Sequence, residues 1–160
     1  MTGGNMELLD ELKRAANLKQ RECRITAHAY SATLSALKPA NFVLVVGAAL
    51  LSLIAGATIL VDNGLLTKIQ SGVLALLSGA FTIVHSKLGC EQYQGECKKL
   101  LSFYRGMAED YTNLHLQPII DAGEFHKRFF ELNNQFSAAV KSSTAFPFNW
   151  ATSIAKINFE

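Results

Sequence analysis

The residues in this chain that could do chemistry are three cysteines, four histidines and a few paired carboxylates. Cys90 and Cys97 are seven apart, so a helix places them on one face about 10 Å apart along its axis. Zinc binds thiolates at about 2.3 Å, too short a reach for both to hold one ion. Cys23 makes the number odd. The first thirty residues are charged throughout, so no secretory leader is expected and the thiols are expected to stay reduced. His28, His85, His115 and His126 contain no pair at i,i+4 spacing. There is no glycine-rich phosphate loop and no nucleophile elbow, and Glu109-Asp110 reads as a solvated pair on a helix surface. These patterns predict no enzyme: no catalytic residue, no metal ligand set and no cofactor.

The elements that remain must serve something other than catalysis, and their composition suggests what. Net charge is +2, with acidic and basic residues interleaved, so no nucleic-acid partner is expected. Charged residues are 18% of the chain, against about 25% in soluble domains. They are also unevenly spread: between Pro39 and His85 only Asp62 and Lys68 are charged. A soluble core distributes its apolar residues among all its helices, whereas this concentration points to lipid.

A spanning helix needs about twenty mostly apolar residues. Ala40 to Val61 has no charge and would extend about 33 Å as a helix. Leu65 to Val84 contains Lys68 and Gln70, both near its start, where a lysine can snorkel to the headgroups. Asn63-Gly64 tolerates the positive φ of a tight turn. A buried soluble hairpin is the alternative, but nothing outside this stretch is apolar enough to wrap it. Lysines and arginines flank the pair of spans on both sides and are absent from the turn, so the positive-inside rule puts both termini in the cytoplasm. The expected divisions are an N-terminal amphipathic helix (1–39), a transmembrane hairpin (40–84, spans 40–61 and 65–84), a long cytoplasmic helix (85–116) and an amphipathic helix with an aromatic tail (117–160). The expected localisation is thus multi-pass in the inner membrane.

Small residues recur every fourth position on both spans: Ala48, Ser52 and Gly56, then Ser71, Ala75 and Gly79. In lipid, such stripes let backbones approach closely, either between the two spans or between protomers. Ser71, Ser78, Thr82 and His85 form a polar line down the second span. It could line a water-filled path in an oligomer, or its hydroxyls could bond their own i−4 carbonyls.

The flanks carry heptad-like seams. Leu9, Leu12, Ala16, Cys23, Ala27, Tyr30, Leu34 and Leu37 form one, broken at Gln20; Cys90, Tyr93, Cys97, Leu100, Tyr104, Met107, Tyr111 and Leu114 form the other. Two such helices, forced together by the hairpin, should zip antiparallel, with Lys38-Pro39 kinking or interrupting the first at the membrane surface. Their small and aromatic side chains need further helices to cover them. Gln117-Pro118 should end the long helix, and Asp121 with Glu124 forms a capping box opening the next. Phe125, Phe129, Leu132, Phe136 and Ala139 line that helix's inner face. Trp150, Ile154 and Ile157 mark one side of a tail that could lie in the membrane interface or pack on a subunit. The fold class expected is all-α, a two-helix transmembrane hairpin continuing into a cytoplasmic antiparallel helical bundle.

This layout resembles the SLATT family, the SMODS- and SLOG-associating two-transmembrane effector domain. The resemblance covers roughly Leu8 to Leu114: the basic amphipathic helix "KRAANLKQRECRITAHAYSATLSALK", two spans with a minimal turn, and the long helix "HSKLGCEQYQGECKKLLSFYRGMAEDYTNL". It implies a homo-oligomeric effector of bacterial anti-phage defence, triggered by nucleotide-signalling or other defence proteins encoded nearby, that opens a pore or breaches the inner membrane. A membrane-anchored scaffold or sensor, or a holin-like lysis protein, fits the same hydropathy. The lipid bilayer is a partner in every case.

Overall fold

In a computed structural model, backbone is described for residues 3–60, 68–87, 90–117 and 121–159, and side chains for 6–57, 69–84, 91–117 and 121–159. The described residues form five helices and no strand: α1 (Gly3–Leu60), α2 (Lys68–Lys87), α3 (Cys90–Leu116), α4 (Ala122–Ser142) and α5 (Asn149–Phe159). They belong to two compact units, one of Met1–Leu34 with Gly95–Glu160 and one of Ser35–Gln94. The Asp62-Asn63-Gly64 turn expected from the sequence lies outside the described residues.

Helix α1 corrects one expectation, since it continues through Pro39 without interruption. Proline there removes only the N–H that would reach the Ser35 carbonyl, and several helical turns on either side hold the segment helical.

In the first unit, α1 buries its seam residues Ala16, Cys23, Ala27, Tyr30 and Leu34, and also Ala29 and Thr33 outside the seam. Leu9 and Leu12, nearer its start, are half-buried. The break at Gln20 is filled by chemistry of its own, the side-chain amide donating to the Thr112 hydroxyl on α3. Tyr30 stacks on Tyr104 with ring centroids 5.8 Å apart. As numbers rise from Gln20 to Tyr30 along α1, partners fall from Thr112 to Tyr104, so α1 and α3 run in opposite directions. On α3, Cys97, Leu100, Tyr104, Met107, Tyr111 and Leu114 are buried.

The seam is covered by α4 and α5. Phe136 and Phe129 set their rings edge-on to Tyr104 and Tyr111, at 5.8 and 6.1 Å, and Phe125 is fully buried. The Tyr111 hydroxyl donates to Asn133 Oδ1 at 2.9 Å. Asp121 is the N-cap of α4, but its side chain makes no capping bond. The expected capping box does not form because Glu124 pairs instead with Arg128, one turn on, at 2.6 Å. After Ser142 the chain is non-helical to Phe148. It is pinned to α1 by Tyr30, whose hydroxyl donates to the Ala145 carbonyl at 2.8 Å, and by Thr33, whose hydroxyl accepts the Phe148 N–H at 3.0 Å. Helix α5 then returns along α1 until Arg21 donates to the Phe159 carbonyl. It seats on Ala151 and Ala155, both fully buried, because only small residues permit so close an approach. Trp150, Ile154 and Ile157 stay exposed beside that seat.

Candidate functional site

The second unit reverses the rule that the first obeys. Among its described residues, the buried side chains are Ala48 and Ala55 on α1, Ser71 and Ser78 on α2, and Gln94 at the start of α3. Its large apolar side chains point outward, with Leu53 70% and Leu76 76% exposed, and Phe42, Val43, Leu50, Val73 and Ile83 alongside them. Of the most apolar eighteen-residue window of α1, only 6% is buried. In water this surface would cost free energy in proportion to its area, about 25 cal/mol per Å². In hydrocarbon it costs nothing, and polar groups turn inward to find partners.

They find them. The Ser78 hydroxyl donates to the Ala48 carbonyl at 2.8 Å and lies within hydrogen-bond reach of the Ser52 hydroxyl. The Gln94 side-chain amide donates to the Leu37 carbonyl at 3.1 Å. The Thr82 hydroxyl donates to the Ser78 carbonyl, its own i−4 neighbour, at 3.0 Å. Of the polar line on α2, Ser71 and Ser78 are therefore buried against the chain itself and Thr82 is exposed but bonded back to its helix. The His85 side chain lies outside the described residues.

The small-residue stripes divide. Ala48 and Ser52 take part in the contact between α1 and α2, whereas Gly56, Ala75 and Gly79 are exposed. A Cβ added at Gly56 or Gly79 would meet nothing within 4 Å. The reason is angular: each step of four rotates about 40° around a helix, while a step of seven drifts by only about 20°. Ala48 with Ala55, and Ser71 with Ser78, are seven apart, and they stay in the contact. The signal for Ala55 was present in the sequence, but at the heptad spacing. On the flank of α3, Tyr93 is half-buried and Gln94 occupies the inward position beside it.

One helix among the described residues, α1, is long and apolar enough to cross a membrane. The apolar part of α2 spans Ile69–Val84, and the residues just before Lys68 lie outside the described set.

Outside this region, burial pushes the Cys23 thiol up to about 12, with Glu22 adding to the shift and Lys19 opposing it. The sulfur is therefore a neutral packing atom at physiological pH. Burial also raises Tyr104 and Tyr111, with Cys23 and Glu22 contributing. Among the described residues, no three His, Cys, Asp or Glu side chains converge on a point.

Comparison with known proteins leaves the chain to be read on its own physics: no family model matches it, and no curated protein or solved structure matches it.

Proposed function

We infer that this chain is a two-span membrane effector. α1 and α2 form a hairpin in the inner membrane with both termini on the cytoplasmic side, and the first unit is a cytoplasmic antiparallel helical bundle. Several copies assemble to open a pore or breach the bilayer, because two spans cannot enclose a channel alone. The observation that carries this reading is the reversed burial of the described residues between 35 and 94, with leucines and valines outside and serines and alanines inside. The charge distribution supports the orientation. The anti-phage role and the trigger by nucleotide-signalling or other defence proteins rest on the resemblance of the layout to SLATT effectors.

Purified protein reconstituted in liposomes should release a trapped ion or dye. Recovery from cell extract as a monomer without detergent would overturn the reading. The Ser71, Ser78, Thr82 and His85 line could become a pore surface only if α1 and α2 part at the Ser78 bonds. Ser78→Leu or Thr82→Leu should then abolish killing, and undiminished killing would move any pore to another face. A membrane-anchored scaffold is the second reading, favoured by the exposed Trp150, Ile154 and Ile157 on α5, where a partner protein could dock. Intact liposomes together with firm membrane attachment would select it.

A further inference from the structure

We propose that the first unit carries a binding site for a compact phosphate-bearing anion, formed by Arg24 and His28 of α1 with Arg105 of α3. This goes beyond the membrane reading and stands independently of it, since every residue involved belongs to the first unit.

The register of α1 against α3 brings the three side chains together around a cavity of about 290 Å³, with Ala27 and Ala108 also in its wall. Both alanines are buried, and their small size is what leaves the space. Phe159, at the end of α5, forms another side, its ring edge-on to His28 at 5.9 Å. Its carbonyl is held by Arg21, which fixes that wall in place.

The two guanidiniums are the informative feature. Among the described residues neither Arg24 nor Arg105 has an ion-pair or hydrogen-bond partner. Elsewhere in the same unit Arg128 is paired with Glu124 and Lys19 with Glu22. Glu109 also lines the cavity, one helical turn beyond Arg105, yet it makes no ion pair with it. Two forked donors on facing helices suit the oxygens of one phosphate, which guanidinium binds in bidentate fashion. A protonated imidazole would add a third donor.

Size and lining narrow the class. The volume sits at the lower limit of small-molecule sites, about 300 Å³, so one phosphate with a small aromatic or heterocyclic group fills it. The Phe159 ring offers that group an apolar edge. The larger cavity between α1 and α5, about 600 Å³, lacks this chemistry: its Arg21 is already bonded to Phe159, and Glu22 stands beside it. A phosphate could come from a soluble ester or from a lipid headgroup. Arg24 lies four helical turns before Ala40, the start of the proposed span, which favours the soluble source; this choice of source alone rests on the membrane reading.

Phenyl phosphate is the probe, titrated calorimetrically into the purified full chain. Saturable binding is expected, weakened about tenfold or more by Arg24→Gln and by Arg105→Gln, the loss of one charge-assisted contact each. Glu109→Gln removes the one negative charge that the described residues place on the cavity and should tighten binding several-fold. The substituted side chains are all exposed, and Trp150 fluorescence checks that each variant keeps its fold. Competition by phosphatidic acid in mixed micelles would make a headgroup the phosphate's source; binding indifferent to it would make the source a soluble ester. Absence of saturable binding, affinity unchanged in both arginine variants, or weaker binding in Glu109→Gln would overturn the site.

Discussion

Phe125 and Leu76 are both large apolar residues on helices, and they have opposite fates. Phe125, in the first unit, is 1% exposed; Leu76, in the second, is 76% exposed. The first unit buries Tyr30, Tyr104, Tyr111 and Phe125 and puts charge on its surface, as water requires. The second hides alanine, serine and glutamine and displays leucine, valine and isoleucine. Both are helical, and both pack in part through small residues. What differs is which residue types face outward, and that difference shows only when burial is set beside residue type. Hydropathy marks the apolar stretch but does not say which way its side chains face.

The largest test of this contrast is truncation. Phe125→Ala should destabilise the first unit by about 3–5 kcal/mol, the usual cost of emptying a buried aromatic site. The chain has a single tryptophan, Trp150, and it sits in α5 of that unit, so denaturant titration followed by its fluorescence reads this unit. Leu76→Ala should leave the same curve within about 0.5 kcal/mol, as surface changes do. A comparable loss from both would erase the distinction.

Replacing Leu53 or Leu76 by arginine sharpens it next. A guanidinium near the middle of a span costs about 2.5–3.5 kcal/mol to insert, and in a water-exposed helix it costs almost nothing. Membrane fractionation should therefore show Leu53→Arg shifting toward the aqueous or degraded pool. Leu76→Arg makes the same demand of α2, whose described apolar part is the shorter. Unchanged membrane association of Leu76→Arg would remove α2 from the bilayer interior.

Much of the first unit was legible in the sequence because its seams alternate steps of three and four, and that period is the geometry of a buried helical face. Tyr30, Leu34, Leu100, Tyr104, Met107 and Tyr111 all lie where the period places them. Gln20 looked like a defect and is a hydrogen-bonded seam position, which no periodicity of apolar residues can register. The capping box at Asp121 and Glu124 was less legible: the motif specifies compatible residue types but not whether Arg128 will compete for the glutamate. Of the kink or interruption expected at Pro39, the interruption does not occur, because the long helix around the proline outweighs its local cost. In the second unit the polar line was visible, but whether it faces a helix or a pore depends on tertiary placement. The arginine-lined cavity could not be read at all, since Arg24 and Arg105 are far apart in sequence and meet only through the register of α1 on α3.

Alkaline titration probes the first unit more gently. The Cys23 thiol is raised from 9.0 to about 12 by burial, so between those values the folded state holds a proton that the unfolded state has lost. Stability from this group is therefore complete below pH 9 and declines as pH rises above it, by up to about 1.4 kcal/mol per pH unit. Tyr104 and Tyr111 are raised from 10.0 and add to the decline only above that value. Between pH 9 and 10 the slope should belong mainly to Cys23, and Cys23→Ala should flatten it. The native thiol should also resist alkylation by iodoacetamide at pH 8. Rapid alkylation without unfolding would contradict its burial.

The smallest effects compare one hydroxyl in each unit. Tyr111→Phe leaves the ring in place and removes the bond to Asn133, for a loss of about 1 kcal/mol by Trp150 fluorescence. Ser78→Ala removes a donor to the Ala48 carbonyl, and a naive argument makes that bond the stronger because nothing competes for it in hydrocarbon. Hydrogen bonds between membrane helices nevertheless average about 0.6 kcal/mol, since separated helices in the bilayer find other partners. Ser78 has such a partner one turn back along its own helix, the carbonyl of Leu74, to which a serine hydroxyl can fold. The carbonyl of Ala48 also keeps its helical bond when the serine is gone. Ser78→Ala should thus shift the SDS midpoint for loss of helicity in mixed micelles by less than Tyr111→Phe shifts the denaturant curve, once both are expressed as free energies. A loss above about 2 kcal/mol would mean that α1 and α2 depend on Ser78 far more than small-residue packing explains, and that parting them to form a channel is correspondingly costly.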